Sequence, residues 1–167
     1  MSELIGAIFL ALLTGVCLAA YFTVLHALFP TRTERARQVA ETSPARAFFI
    51  GLVNFLFFGT VCLVFLALGE RTNPIVALPG LVILIAMGIA LSLGLSSIAQ
   101  LTGNRLFPDK SPLARTVWGT GALYFACLTP FVGWFGLTIY VSLLGIGTFI
   151  LSFFRLKEVI SNSAKEI

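Results

Sequence analysis

Few side chains in this sequence can do chemistry, and three of them fall at the same end of predicted membrane helices. His26 lies near the end of the first apolar segment, Asn54 lies early in the second, and Gln100 lies at the end of the third. Successive membrane segments run in opposite directions, so all three positions belong to one half of the bilayer and predict a small polar pocket. In such a pocket His26 can be an axial ligand to haem or chlorophyll. The alternative is ordinary interhelical hydrogen bonding, worth about 0.6 kcal/mol per bond on average in membranes.

The remaining reactive side chains form no recognisable catalytic or metal-binding motif. His26 is the only histidine, whereas haem held between helices usually takes two ligands, and the three cysteines lie apart in apolar segments without a CxxC pair. The predicted spans carry no charged residue, although proton relays and ion-coupled pumps need such groups near the middle of the membrane. We therefore predict a protein that is not an enzyme and holds no metal or dedicated cofactor. Bilayer lipid is its expected ligand, with haem or chlorophyll at His26 as the alternative.

Composition indicates the solvent in which the elements must fold. The chain has 167 residues, of which 58% are hydrophobic and 11% are charged, whereas soluble domains have about 25% charged residues. Its mean hydropathy is +1.00. Apolar stretches of at least about 18 residues indicate membrane-spanning helices. The fold class predicted is thus all-α, a polytopic integral membrane bundle forming a single transmembrane domain. The net charge of +4 is attributed to loops between spans and not to nucleic-acid binding.

Hydropathy and breaking residues divide the chain into about five membrane segments. The first apolar run is too long for the core of a signal peptide and is interpreted as a retained span. Polar residues between the first two segments predict a loop, and Pro74 and Pro79 predict a short outer loop between the second and third. The five predicted segments are 4–28, 48–68, 81–101, 116–129 and 134–154, and a cytoplasmic tail follows at 155–167.

The last two segments are predicted to form a hairpin. No charged residue or histidine occurs in the 39 positions between Arg115 and Arg155, and a single helix of that length would be ~58 Å long, about twice the hydrocarbon thickness. Ten of the eleven Lys and Arg residues lie in the first loop, the third loop and the tail. The positive-inside rule assigns all three regions to the cytoplasmic side. We therefore expect a break at Pro130 and Gly133, with the N-terminus outside and the C-terminus in the cytoplasm.

Small residues recur along the third segment at helical spacing. They form two neighbouring stripes, which are Gly88, Ser92, Ser96 and Gln100, and Ala86, Ala90 and Gly94. In lipid, small residues let helix backbones approach closely, because packing drives helix association there. The stripes predict packing within the bundle, with contacts between copies or a lipid groove as alternatives.

Part of the chain resembles a known membrane region. The stretches "PARAFFIGLVNFLFFG", "AQLTGNRL", "WGTGAL" and "TPFVGWFGLTIYVSLLGIGTFIL" lie within residues 44–154. They resemble the polytopic membrane region attached to bactofilin-like, polymer-forming bacterial proteins. The matching positions are Gly103, Arg105, Pro130, Val132, Gly133, Gly145 and Gly147. The chain departs from that pattern in its additional first helix and in having no β-solenoid domain. The resemblance implies a non-enzymatic bacterial membrane domain.

These observations lead to one main functional prediction and two alternatives. The main prediction is a small accessory, assembly or anchoring subunit of a bacterial inner membrane, or of another energy-transducing membrane. It would act through helix–helix contacts with other membrane proteins or with copies of itself. The first alternative is an oligomeric channel or facilitator for a small neutral solute or lipid, and the second is a pigment- or haem-binding subunit that uses His26.

Overall fold

The structure, a computed structural model, describes residues 2–163, and within them the side chains of residues 3 and 5–153. Of the predicted tail, the backbone up to Ser163 continues the last helix, and the rest lies outside the described residues. The described part forms six α-helices and one π-helical turn. They are α1 (Ser2–Leu28), α2 (Pro30–Thr42), α3 (Pro44–Arg71), α4 (Pro74–Leu106), α5 (Pro112–Leu128), the π-helix (Val132–Leu137) and α6 (Thr138–Ser163).

Four helical segments are long enough and apolar enough to cross a membrane. They are Ile5–Leu28, Pro44–Arg71, Pro74–Leu106 and Val132–Phe153. In the first three, only 11% of the most apolar window is buried, so most of these side chains face outward and need a lipid environment. The chain is therefore an all-α, multi-pass, membrane-embedded protein. Helix α5, with 17 residues, is shorter than these four.

Prolines begin helices throughout this fold. Pro30, Pro44, Pro74 and Pro112 each occupy the start of a helix, where the missing N–H is no loss and the fixed φ suits the helix. The outer loop predicted around Pro74 and Pro79 was therefore wrong, since both prolines lie within α4 and only residues 72–73 separate it from α3. The Asn73 side chain accepts a hydrogen bond from the Ile75 amide at 3.1 Å and caps α4.

The polar loop predicted after the first segment was also wrong, because these residues form helix α2. One face of α2 is buried, and it consists of Thr33, Ala36, Val39 and Ala40. On the opposite flank, Arg37 forms ion pairs with Glu34 at 2.6 Å and Glu41 at 3.4 Å. The high average polarity of this stretch indicated a loop. Helical spacing, however, places its apolar and charged residues on different faces. The buried face of α2 packs against α4 and α6.

Helix α4 is the centre of the bundle, and every other α-helix packs against it. Glycines allow the closest of these contacts. A Cβ at Gly94 would overlap the backbone of Gly145 on α6. Between α3 and α6, a Cβ at Gly51 would overlap the carbonyl oxygen of Leu143, and one at Gly147 would overlap that of Ala47. The bundle therefore holds these backbones in direct contact, as small residues permit in lipid.

The break between α5 and α6 lies at residues 129–131 and includes Pro130. Phe131 has a φ of 64° and a ψ of −69°, a γ-turn conformation that is rare and strained, above all for a bulky side chain. Gly133 lies just beyond, in the first turn of the π-helix, where a Cβ would come within 2.6 Å of the carbonyl oxygens of Ala126 and Cys127. The strained turn and the buried glycine together let the chain fold back closely against the end of α5.

Candidate functional site

The candidate site is a polar cluster of three side chains from three helices: His26 of α1, Thr33 of α2 and Gln100 of α4. The Gln100 amide nitrogen Nε2 lies 2.5 Å from His26 Nδ1. The Thr33 hydroxyl oxygen lies 3.1 Å from the same ring nitrogen. Thr33 is fully buried, Gln100 is 5% exposed and His26 is partly buried. The structure thus brings His26 and Gln100 together, as their positions along the helices indicated.

Thr33 is the member that sequence inspection missed. It lies seven residues after His26, and the sharp junction at Pro30 turns α2 back toward the end of α1. The Thr33 hydroxyl also lies 3.1 Å from the carbonyl oxygens of Phe29 and Pro30 at that junction. A signal did exist, since Thr33 lies on the same helical face as Ala36 and Ala40, but it emerges only if α2 is treated as a helix.

The cluster engages one nitrogen of the imidazole. The Gln100 amide and the Thr33 hydroxyl both lie within hydrogen-bond distance of His26 Nδ1. The three side chains therefore join α1, α2 and α4 as a hydrogen-bonded cluster. The haem or chlorophyll ligand considered from the sequence stays a prediction.

Asn54 does not join this cluster. Its amide nitrogen donates to the carbonyl oxygen of Ile50 on its own helix at 2.8 Å. The side chain borders a groove of about 190 Å³ between α3, α4 and α6, which also contacts Met87 and Phe149. The expectation of one pocket shared by all three polar residues was therefore wrong for Asn54, because α3 is rotated so that Asn54 faces this apolar groove.

The predicted small-residue stripe on α4 divides among three surroundings. The Ser96 hydroxyl donates to the carbonyl oxygen of Phe22 on α1 at 3.3 Å. Ser92 lines a separate groove, and Gly88 is exposed, with no heavy atom within 4 Å of where a Cβ would lie. The stripe is not one continuous packing face, because the neighbouring stripe, which includes Gly94, provides the close contact with α6.

A second polar contact joins α1 to α5. The Tyr124 hydroxyl donates to the carbonyl oxygen of Ala11 at 2.9 Å, and the edge of its ring lies 3.1 Å from where a Cβ on Gly15 would be. In lipid, a phenolic hydroxyl needs a partner such as this carbonyl. Among the described side chains, no buried side-chain nitrogen or oxygen atom lacks a hydrogen-bond partner. Ser96, Gln100 and Tyr124 use these bonds to join helices, whereas the Thr120, Thr148 and Ser152 hydroxyls donate to carbonyl oxygens of their own helices.

Charge lies on α2, outside the spanning segments. The hydrogen bond from Arg37 lowers the pKa of the Glu34 carboxyl below its ordinary value, and the same contact raises the pKa of Arg37. Both acidic groups of α2 are thus engaged by one arginine. Arg32 stacks on the Phe153 ring of α6, with its guanidinium carbon 4.6 Å from the ring centroid.

Two further grooves open on the outer surface of the bundle. The first, called here the α1/α5 groove, has a volume of about 490 Å³ and is bordered by Gly15, Trp118 and Gly121, among others. The second, called the Arg32 groove, has a volume of about 400 Å³ and includes Tyr21, Ser92 and Arg32.

No protein-family model, curated protein or solved structure matches this chain. The resemblance to the membrane region of bactofilin-like proteins therefore stays a prediction. The class that the fold supports is a multi-pass helical membrane protein.

Proposed function

We propose that this chain is a non-catalytic membrane subunit that anchors or assembles partner membrane proteins through helix–helix contacts. The observation that carries the proposal is the α1/α5 groove. Its lining includes the small residues Gly121 and Ala122 of α5, both partly exposed, beside large aromatic ones, whereas Gly15 of α1 is already covered by the Tyr124 ring. Small residues let a neighbouring helix approach a backbone closely, and aromatic side chains supply contact area.

Gly121 distinguishes this groove from the contacts inside the bundle. Gly51, Gly94 and Gly147 are covered by backbone of this chain, whereas no heavy atom lies within 4 Å of where a Cβ on Gly121 would be. The bordering rings of Trp118 and Phe125 are 52% and 55% exposed. A partner helix seated here would contact both rings and pack against an uncovered glycine, which makes a helix the occupant that suits the groove.

The topology that we propose has five membrane segments, with α5 as the fourth. A 17-residue helix is about 25 Å long, short of the ~30 Å hydrocarbon thickness, a mismatch that local thinning of the bilayer accommodates. The N-terminus then lies outside and the C-terminus in the cytoplasm of a bacterial inner membrane or a related energy-transducing membrane.

The test of the docking function is to fill the groove without disturbing the fold. Gly121→Leu places a side chain in open space, and Gly59→Leu on α3 is the matched control, since nothing lies within 4 Å of either Cβ position. Membrane proteins that copurify with the tagged wild type in mild detergent would be identified and quantified. We expect Gly121→Leu to lower their recovery at least tenfold, and Gly59→Leu to leave it unchanged.

Two outcomes would contradict the proposal. One is equal recovery of the same partners with Gly121→Leu and wild type. The other is catalytic turnover or solute transport by the purified monomer alone in liposomes, which would assign the chain an activity of its own. Size-exclusion profiles and helical circular dichroism that match the wild type confirm that both variants are folded. A difference in partner recovery then reflects docking and not folding.

A further inference from the structure

The Arg32 groove differs from the other grooves in having a cation at one end. It is bordered by Tyr21 and Leu25 on α1 and by Phe29 at the junction with α2, and these three residues recur every four positions and form one stripe. From Tyr21 to Phe29 that stripe is about 12 Å long, close to the ~15 Å half-thickness of the hydrocarbon core. The groove therefore has the length of the part of an acyl chain that lies in one leaflet.

Arg32 is placed where a lipid headgroup would lie. It is on the first turn of α2, beyond the end of the spanning helix α1, and its side chain is exposed. The guanidinium carbon lies over the Phe153 ring, 4.6 Å from its centroid, a cation–π contact that does not consume the N–H donors of the group. A planar fork of N–H groups matches the oxygens of a phosphate.

The charges around Arg32 favour an anion. Helical spacing places Arg32 and Arg35 on one flank of α2, three residues apart, while the acidic Glu34 and Glu41 are held on the other flank by Arg37. Among the side chains that the structure describes, no carboxylate forms an ion pair with Arg32. A basic pocket between membrane helices at the bilayer surface is the arrangement that recognises anionic lipid headgroups.

We infer that the Arg32 groove is a binding site for one anionic phospholipid, with an acyl chain along α1 and α4 and its phosphate on Arg32. The partly exposed Ser92 side chain on α4 also borders the site. The site shares no lining residue with the α1/α5 groove, so lipid binding and partner docking succeed or fail independently.

The inference is tested by native mass spectrometry of the protein released from mixed micelles. The micelles contain equal amounts of phosphatidylglycerol and phosphatidylcholine. We expect the wild type to retain one phosphatidylglycerol with at least about fivefold preference, as one interfacial arginine allows. Arg32→Gln should abolish the preference. Arg46→Gln removes an equal charge from an exposed position outside the groove and should preserve it.

Two more variants separate the headgroup contact from the groove itself. Arg32→Lys keeps the charge but loses the planar fork, and an intermediate preference is expected. Ser92→Leu narrows the groove while Arg32 is intact, and it should reduce retention of the lipid. The inference is overturned if the wild type shows no preference, or if Arg32→Gln and Arg46→Gln reduce it equally, since that result indicates general attraction to a basic surface.

Discussion

At the scale of single residues, the polar cluster of His26, Thr33 and Gln100 joins three helices. Its hydrogen bond between Gln100 and His26 connects α4 to α1, which are the two members farthest apart in the sequence. Its two atoms lie 2.5 Å apart, and Thr33 adds a contact from α2 at 3.1 Å. Where a buried partner is removed, the remaining polar group loses its hydrogen bond and has no water to replace it. The cluster thus stabilises the angle at which α2 leaves α1.

We predict that Gln100→Leu lowers the free energy of unfolding by about 1 kcal/mol, within the range measured for membrane hydrogen bonds and buried polar groups. The reason is that His26 Nδ1 loses the Gln100 amide as its hydrogen-bond partner, while the side-chain volume changes little. His26→Leu should cost a similar amount. The double variant should be less destabilised than the sum of the two, because both changes remove the same bond.

Thermal unfolding in detergent, followed by circular dichroism, measures these differences. Thr60→Val is the control, since the Thr60 hydroxyl bonds only within its own helix at an exposed position. Strict additivity of the two single changes would show that His26 and Gln100 do not interact in the folded protein.

At the scale of elements, close backbone contacts determine how α3, α4 and α6 are arranged. Gly51 and Gly147 lie on opposite sides of one contact, and each faces a carbonyl oxygen of the other helix. Even a methyl group at either position requires the helices to separate. Separation in a packed core costs typically about 1–3 kcal/mol, because contacts along the whole helix pair weaken together.

We predict that Gly51→Ala and Gly147→Ala each destabilise the bundle by about 1–3 kcal/mol. Gly59→Ala, in open space on the same helix as Gly51, should be neutral or slightly stabilising, since alanine favours a helix by about 1 kcal/mol over glycine. Unfolding in a series of denaturing detergent mixtures measures all three. Equal stability of Gly51→Ala and Gly59→Ala would show that α3 and α6 are not in backbone contact.

At the scale of the whole molecule, the position of charge relative to the spans decides orientation. Helix α2 carries Arg32, Arg35 and Arg37, and the junction between α4 and α5 carries Lys110. The Lys110 ammonium lies 4.4 Å from the centroid of the Trp118 ring, an aromatic type that concentrates at bilayer interfaces. From the positive-inside rule we expect both regions on the cytoplasmic side of the membrane.

We predict that reporters fused at Ser2 and Ile167 report opposite sides, outside for Ser2 and cytoplasmic for Ile167. Five crossings, an odd number, place the two termini on opposite sides of the membrane. In this topology α5 leaves the cytoplasmic side and α6 returns to it. An alkaline phosphatase and fluorescent protein pair measures it, with a fusion in the α2–α3 junction as the cytoplasmic control. Reporters on the same side would remove α5 as a full crossing.

Hydropathy and length by themselves determined that this is an all-α membrane protein, because uninterrupted apolar runs of at least about 18 residues fit spanning helices, which satisfy their backbone groups internally within lipid. They also placed a chain break near Pro130, since a single helix through 39 uncharged residues is too long for the bilayer. Both conclusions depend on quantities that are read along the chain. Pro74 and Pro79, however, were interpreted as signs of a loop, although Pro74 begins α4 and Pro79 lies inside it. The high polarity of residues 30–42 likewise concealed the buried face of α2.

Only the tertiary structure decided which side chains meet. Membrane depth placed His26, Asn54 and Gln100 at similar levels, but the rotation of each helix about its axis separates Asn54 from the other two. Rotation depends on the fit of facing surfaces, such as Gly94 against Gly145, and no periodicity in one segment contains that information. The same fit left Arg32 and Ser92 bordering one groove. The sequence offered a lipid groove at the Ser92 stripe only as an alternative, and it did not indicate that Arg32 lies at the end of that groove.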